Sequence, residues 1–279
     1  MIKLLRDRAV ATLPPDFIST KLIKKHEDLV ARFYTAKAAS APMAFSSTKW
    51  KTAKSRLKLD SLDKCAYCEA PTAVVAHGDV EHFRPKKIYW WLAYAFDNYV
   101  FACQICNQIY KGDNFPLISG KRLRPPKMPT IRPTGAKLRE LATSLALDAS
   151  GTTDTNVAAL WAPEKAAMLH PYLQDPEPFI RYSCDEANGE VWLLASSKQG
   201  AKKIIQACDK YLGLNREELR RLRFQHYKTF KFFNNLYQDK KLGKTMEEAL
   251  KREVRRYTSE GFPFAGMHRF YAREWGFAP

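Results

Sequence analysis

The spacing of apolar residues predicts amphipathic helices in the first part of the chain. Over residues 16–37 apolar side chains recur every three or four positions, which is typical of a helix that buries one face. Ser47 can cap a second helix that runs to Leu57 and carries Trp50 on its inner face. The pattern therefore predicts an N-terminal helical region over residues 1–60.

The last part of the chain follows a helical period after one short apolar run. Residues 191–194 predict a strand, and residues 197–212 predict a helix that ends at a glycine. Further helices are expected from Asn215 onwards and over residues 245–257. We therefore predict a mainly helical region over 161–279.

The middle of the chain has a different pattern. Residues 61–117 are dominated by cysteines, histidines, aromatic residues and short apolar runs, which predicts a small core with its own chemistry. A basic, proline-rich stretch follows, and residues 118–138 contain no acidic side chain. Because proline interrupts helices, we expect an insertion over 118–160 that forms a loop.

Composition and charge narrow the class of protein. Of the 279 residues 46% are hydrophobic, so a folded chain is expected, and the formal net charge is +17. This excess favours a polyanionic partner, and nucleic acid is the commonest one. The rival is an anionic membrane surface, but we expect no membrane partner because an amphipathic apolar face of the right kind is missing. Charges break the N-terminal apolar run early, and no apolar stretch is long enough to span a bilayer. We expect a soluble, cytoplasmic protein.

Four of the six cysteines form two C-x-x-C pairs, Cys65 with Cys68 and Cys103 with Cys106. In a reducing compartment this spacing is typical of metal binding. Four thiolates make a closed tetrahedral zinc site with no open position for water, so the zinc should be structural. The alternatives are a redox or buried cysteine pair, or a site in which His77 replaces one cysteine.

Between the two pairs lie the adjacent Glu81 and His82, and then Asn98. Asn107 directly follows Cys106. This order of acid, histidine and two asparagines beside a cysteine pair resembles the His-Asn-Asn form of the HNH nucleases. The resemblance implies a ββα-metal (His-Me finger) fold, in which a hairpin carries the histidine and a helix returns the last metal ligand. We therefore expect an α+β protein with a zinc-pinned ββα-metal core over 61–117 embedded in a mainly helical chain.

Hydrolysis of a phosphodiester needs a nucleophilic water, charge neutralisation at phosphorus and help for the leaving oxygen. A neutral imidazole can take the proton of the water, and a hard cation such as Mg²⁺ or Mn²⁺ takes oxygen ligands. The resemblance implies that His82 is the base, that Glu81 and Asn107 hold this ion, and that Asn98 fixes the loop bearing His82. Asp79 is a second candidate for the metal, with a turn residue as the alternative.

Three cations near these residues are candidates for contacts with phosphate. They are Arg84, Lys86 and Lys111. For each of them an ordinary solvated side chain is the alternative interpretation.

The resemblance extends beyond the core motif and covers about residues 45–225. The segments that look like the PtuB-type HNH proteins are Trp50 and the region of Lys54, Lys64 to Glu69, Gly78 to Lys86, Tyr89 to Tyr94, Cys103 to Pro116, His170-Pro171, Asp175 to Glu177 and Leu212 to Arg216. This family is similar to the nuclease partner in Septu and certain retron anti-phage systems, where an ABC/SMC-type, PtuA-like ATPase accompanies it. The resemblance implies an antiviral effector with such an ATPase partner.

Two other classes of function stay open beside the nuclease. One is a zinc-stabilised nucleic-acid-binding module without catalysis, and the other is a scaffolding subunit whose basic C-terminal helices dock the ATPase. The substrate of a nuclease is equally open, because a basic groove binds phosphate whatever the sugar. Single-stranded RNA, tRNA and duplex DNA are the alternatives.

Overall fold

Two small antiparallel sheets lie among helices in the computed structural model, which describes residues 1–72, 77–238 and 243–277. The expected α+β class is therefore confirmed. The α-helices are α1 (Ser19–Ala38), α2 (Thr48–Lys51), α3 (Lys54–Asp60), α4 (Gly135–Leu145), α5 (Asp154–Trp161), α6 (Ala201–Leu212), α7 (Glu217–Tyr237), α8 (Lys244–Thr258) and α9 (Ala265–Glu274). A π-helical segment spans Ile105–Lys111, and 3-10 turns span Pro15–Phe17, Trp90–Leu92, Phe96–Asn98, Ala162–Glu164 and Glu177–Phe179.

Each sheet is one antiparallel pair of strands. Strand β1 (Asp79–His82) pairs with β2 (Tyr99–Ala102) so that the last residue of the first faces the first residue of the second. Strand β3 (Ile180–Asp185) pairs with β4 (Glu190–Ala195) in the same way. All four residues of β2 are buried, so this strand forms the centre of the middle region.

The long N-terminal helix is confirmed as α1, but the second predicted helix is wrong in two respects. Ser47 precedes it without a capping hydrogen bond from its side chain. The predicted helix is also divided into α2 and α3, with a break at Thr52 and Ala53. The carbonyl of Lys49 accepts a hydrogen bond from Lys25 Nζ at 2.6 Å. The amide of Ala53 instead donates to the carbonyl of Trp50, three residues back, which tightens the turn. A tertiary contact therefore interrupts the local helical pattern.

The predicted loop over 118–160 is correct only for its first part. Residues 118–134 hold no helix or strand, whereas α4 and α5 occupy much of the rest. Helix α4 packs against α1, where Leu145 joins Val30 and Tyr34 in a small apolar cluster. The apolar spacing within this helix was obscured by the surrounding basic and polar residues. Thr153 caps α5 by accepting the amide of Asn156 at 3.1 Å.

The C-terminal helices α6, α7 and α8 confirm the helical periods, whereas the sequence pattern did not indicate β3 or α9. Helix α6 ends at Gly213, as predicted, in a left-handed conformation with φ +62°. A Cβ at this glycine would lie 2.4 Å from the ring of Tyr110. The end of α6 is therefore packed directly against the π-helical segment that follows β2.

Among the residues that the structure describes, each helix falls short of the length or apolarity that crossing a bilayer requires.

Candidate metal centre and catalytic cleft

The two C-x-x-C pairs meet in space. Their four Sγ atoms lie within 4.8 Å of one another, and those of Cys68 and Cys103 are 4.0 Å apart. A tetrahedral zinc with bonds of about 2.3 Å separates its sulfur ligands by about 3.8 Å, so the donor set fits that ion. Within the described part of the chain this cluster contains no histidine, so His77 does not replace a cysteine.

A guanidinium lies beside the sulfurs. Arg216 Nη1 is 3.6 Å from Cys106 Sγ, and its Nη2 is 3.8 Å from Cys68 Sγ. Burial opposes the charge on Arg216, but Cys106, Cys68 and Cys103 together outweigh it and raise the pKa of the guanidinium above its ordinary value. Arg216 therefore offsets part of the negative charge that four thiolates bring into a buried site.

The cluster also fixes the chain that carries the other candidate residues. Cys103 follows β2 directly, and Cys106 lies in the π-helical segment one residue before Asn107. The partner strand of β2 ends in Glu81 and His82. The hairpin and the segment after it therefore bring the acid, the histidine and the second asparagine to one place.

His82 is held by a backbone carbonyl and by two aromatic edges. Its Nε2 lies 3.0 Å from the carbonyl oxygen of Ala93, while the rings of Trp50 and Tyr99 each lie 5.0 Å away, edge-on. Because a carbonyl can only accept, Nε2 carries the hydrogen and Nδ1 keeps a lone pair. Burial, followed by the charge of Lys86, lowers the pKa of His82 to about 3, so the ring is neutral near pH 7.

The side chain of Asn98 joins two parts of the backbone that follows β1, at Arg84 and at Leu92. Its Oδ1 accepts the amide of Arg84 at 2.8 Å, and its Nδ2 donates to the carbonyls of Arg84 and Leu92 at 2.9 and 3.2 Å. Its own carbonyl accepts the amide of Phe83 at 2.8 Å. These contacts hold the backbone directly after His82, where the resemblance expects Asn98 to act.

Glu81 is buried and already has a cationic partner. The ammonium of Lys111 lies 2.5 Å from Glu81 Oε1 and also donates to the carbonyl of His82 at 2.9 Å. Burial raises the pKa of the Glu81 carboxyl above its ordinary value, although Lys111 opposes this shift. One carboxylate oxygen is thus engaged with a protein cation at the candidate metal position.

Asp79 orients the amide of Asn107. Asp79 Oδ2 accepts from Asn107 Nδ2 at 3.0 Å and from Gln108 Nε2 at 2.8 Å. Because the Nδ2 of Asn107 is turned toward Asp79, its Oδ1 points the other way and is the atom available to a cation. Asp79 therefore contacts the Nδ2 side of the Asn107 amide and leaves the Oδ1 side free.

A cleft of about 280 Å³ opens over these residues. Its lining includes Glu81, His82 and Asn107, together with Lys86 and Asp113. A carboxylate, an imidazole and an amide thus line one open space, which has room for a hydrated ion and a phosphate oxygen.

Comparison with known proteins identifies one relative by name. Septu protein PtuB from Bacillus mycoides (strain KBAB4) is 32% identical over 104 residues, which are 33% of this chain and 35% of that protein. The chain is PtuB-like over this segment. The predicted resemblance to PtuB is thereby confirmed for about a third of this chain, and the match spans about a third of the relative's own length. No protein-family model matches the chain. No solved structure matches it either.

The structure corrects two of the three phosphate candidates. Arg84 is buried, with its Nε 2.8 Å from Glu164 Oε2 and its guanidinium 4.1 Å from the ring centre of Trp161. Lys111 is buried against Glu81, so neither cation faces solvent. Lys86 remains, because it is half-buried and lines the cleft.

Sequence reasoning missed several neighbours of the site. Trp50 and Tyr99 flank His82, and Arg216 adjoins the cysteines. Trp50 and Arg216 lie within the range of the family resemblance, which was the one available signal. Nothing in their spacing indicated which side chains they would contact.

Proposed function

We propose that this PtuB-like chain is a metal-dependent nuclease of the HNH type that hydrolyses phosphodiester bonds. The observation that carries the proposal is the orientation of His82. Its Nε2 hydrogen is bound to the carbonyl of Ala93, and it lines the same cleft as the oxygen donors of Glu81 and Asn107. Such a ring can take a proton at Nδ1 from a water in that cleft.

The donor atoms of the cleft fit Mg²⁺ or Mn²⁺. The carboxylate of Glu81 and the Oδ1 of Asn107 would hold the ion, and Asp79 would keep the amide turned in the required sense. When bound, the ion supplies charge neutralisation at phosphorus and stabilisation of the leaving oxygen. The antiparallel hairpin followed by the helical segment with Asn107 supports the ββα-metal core implied by the HNH resemblance.

The residues of the chain itself supply the remaining steps. Ala93 and the edges of Trp50 and Tyr99 fix the ring of His82, so that Nδ1 is presented without a rotamer search. Asn98 holds the backbone behind it. The high net positive charge supports a nucleic acid as the substrate.

We also propose that the chain acts in anti-phage defence together with a PtuA-like ATPase. The support is its similarity to a Septu protein. Co-purification of the two proteins, with and without the residues after about Ser197, would test whether the basic C-terminal helices provide the docking surface. Equal recovery of the ATPase with the truncated chain would contradict that part of the proposal.

The test of the nuclease is cleavage of plasmid DNA and total RNA by the chain, alone and with the ATPase, in Mg²⁺ or Mn²⁺. The His82→Ala variant should cleave about 10²- to 10⁴-fold more slowly, because it lacks the group that takes the proton. His77→Ala is the matched control, since His77 is exposed and outside the cleft. The products should carry 5′-phosphate and 3′-hydroxyl ends.

Undiminished cleavage by His82→Ala would contradict the proposed base. Products with 2′,3′-cyclic phosphate ends would contradict attack by water.

A further inference from the structure

An apolar groove of about 610 Å³ opens beside the catalytic cleft. Its walls include Phe33, Met43, Phe45 and Trp90. Lys86 and Asp113 line both the groove and the cleft, so the two spaces adjoin each other at these residues. A molecule with a phosphate in the cleft can therefore extend directly into an apolar environment.

The aromatic side chains in the groove offer flat faces to an incoming group. Phe33 and Trp90 stack on each other with ring centres 4.7 Å apart and an angle of 25° between their planes. Both side chains are half-buried, so part of this stack is open to the groove. Nucleobases stack on such faces whatever their sequence, because every base has a π-face.

The rim of the groove is positively charged. Lys37, Lys86 and Lys87 line it, and Asp113 is the acidic residue beside them. The contact between Asp113 and Lys87 is loose, with Oδ2 and Nζ 3.9 Å apart. The complementary ligand therefore combines a flat apolar part with a negative charge next to it. A nucleotide within a polynucleotide strand has this chemistry, and the volume is within the range of pockets for such groups.

We infer that the groove receives an unstacked base of a single-stranded nucleic acid, adjacent to the phosphate that is cut. This inference rests on the proposed nuclease function and names its substrate class. A base within a duplex is stacked and paired, so it cannot enter the groove unless it is first turned out of the helix. Lys86, at the junction of the two spaces, contacts the phosphate between the bound base and the cleft.

The test measures binding separately from cleavage. All chains carry His82→Ala so that the probe stays intact, and the probes are fluorescent single-stranded DNA, single-stranded RNA and the duplex of the same sequence. Ala36→Trp places an indole in the groove, since Ala36 lines it. Ala38→Trp is the matched control, because Ala38 is exposed at the end of the same helix and outside the groove. Trp90→Phe keeps an aromatic face, and Trp90→Ala removes it.

Ala36→Trp and Trp90→Ala should weaken binding of the single strands about tenfold or more, while Ala38→Trp and Trp90→Phe leave it nearly unchanged. Circular dichroism spectra like that of the parent chain would show that each variant is folded. Equal affinity of Ala36→Trp and the parent for both single strands would overturn the inference, as would tighter binding of the duplex.

Failure of the nuclease proposal has a different signature. In that case the chain with His82 intact shows no metal-dependent cleavage, or cleavage that His82→Ala does not reduce. If only the groove inference is wrong, the chain with His82 intact still shows metal-dependent cleavage. The substitutions in the groove then leave the affinity for the single strands unchanged.

Discussion

The cysteine cluster and the candidate catalytic cleft share one short piece of chain but are built differently. The cluster gathers four identical donors, and a guanidinium from Arg216 lies outside them. The cleft gathers three kinds of donor, and an ammonium from Lys111 lies against one of its carboxylate oxygens. A closed donor set fits one structural ion, whereas an open and mixed one leaves positions for water and substrate.

The position of the cation shows the difference most clearly. Arg216 adds positive charge to a site that keeps all four sulfurs facing one another. Lys111 instead compensates a buried carboxylate that the proposed catalytic ion would also use. The cysteine cluster thus has a cation that would assist a bound zinc, whereas the cleft has one that can take the place of the proposed catalytic ion. Four substitutions test this contrast, from the largest expected effect to the smallest.

Cys68→Ser should abolish folding of the middle region. Structural zinc contributes about 10–16 kcal/mol in zinc-finger peptides, which is comparable to the whole stability of a typical domain. Zinc content by plasma mass spectrometry and the thermal unfolding transition by circular dichroism would check it. Cys184→Ser, at a half-buried cysteine outside the cluster, is the control. It should keep both the bound zinc and the thermal unfolding transition. A folded Cys68→Ser chain with one zinc would show that the cluster is not closed.

Lys111→Met should destabilise the chain by about 3–5 kcal/mol, because it leaves the buried Glu81 carboxylate without its partner. Urea unfolding with and without Mn²⁺ is the measurement. Mn²⁺ should stabilise this variant more than the parent, since the dication takes over the compensation of Glu81. Lys87→Met is the control, at an exposed lysine with a loose ion pair. If Mn²⁺ stabilises the parent and the Lys111→Met variant equally, Lys111 does not take the place of a metal ion beside Glu81. The contrast between Lys111 and Arg216 would then be wrong.

Arg216→Leu should weaken zinc binding about 10- to 100-fold, because the thiolates lose a hydrogen-bonding cation behind them. Competition with a chromogenic zinc chelator would measure the affinity. Arg221→Leu serves as the control, since Arg221 is exposed and pairs with Glu217. Unchanged zinc affinity in Arg216→Leu would mean that the guanidinium serves packing alone.

Asp79→Ala should have the smallest effect, at about a tenfold increase in the Mn²⁺ concentration needed for half-maximal cleavage. The reason is that Asn107 loses the acceptor that turns its amide. Asp113→Ala, at an acid elsewhere on the cleft wall, should shift this concentration less. If the two variants respond alike, Asp79 does not orient the ligand.

The elements that the sequence predicted well are those with a simple local period. Helix α1 and the three helices from α6 to α8 repeat apolar residues regularly, so their inner faces can be identified without knowledge of their partners. The division between α2 and α3 could not be identified in this way, because it depends on Lys25 from another helix. Helix α4 was missed although Leu138, Leu141 and Leu145 recur at helical spacing and pack against α1, because the proline-rich basic residues before it favoured a loop for the whole segment.

The candidate site shows the same division. The sequence alone determined the four sulfur ligands and the order of Glu81, His82 and Asn107, because closely spaced donors and motif order are properties of the chain itself. Tertiary structure decided that Ala93 holds the His82 ring, that Lys111 pairs with Glu81 and that Arg216 adjoins the sulfurs. These contacts join residues far apart in sequence or set the orientation of a side chain, and both are fixed only when the chain packs around a common core.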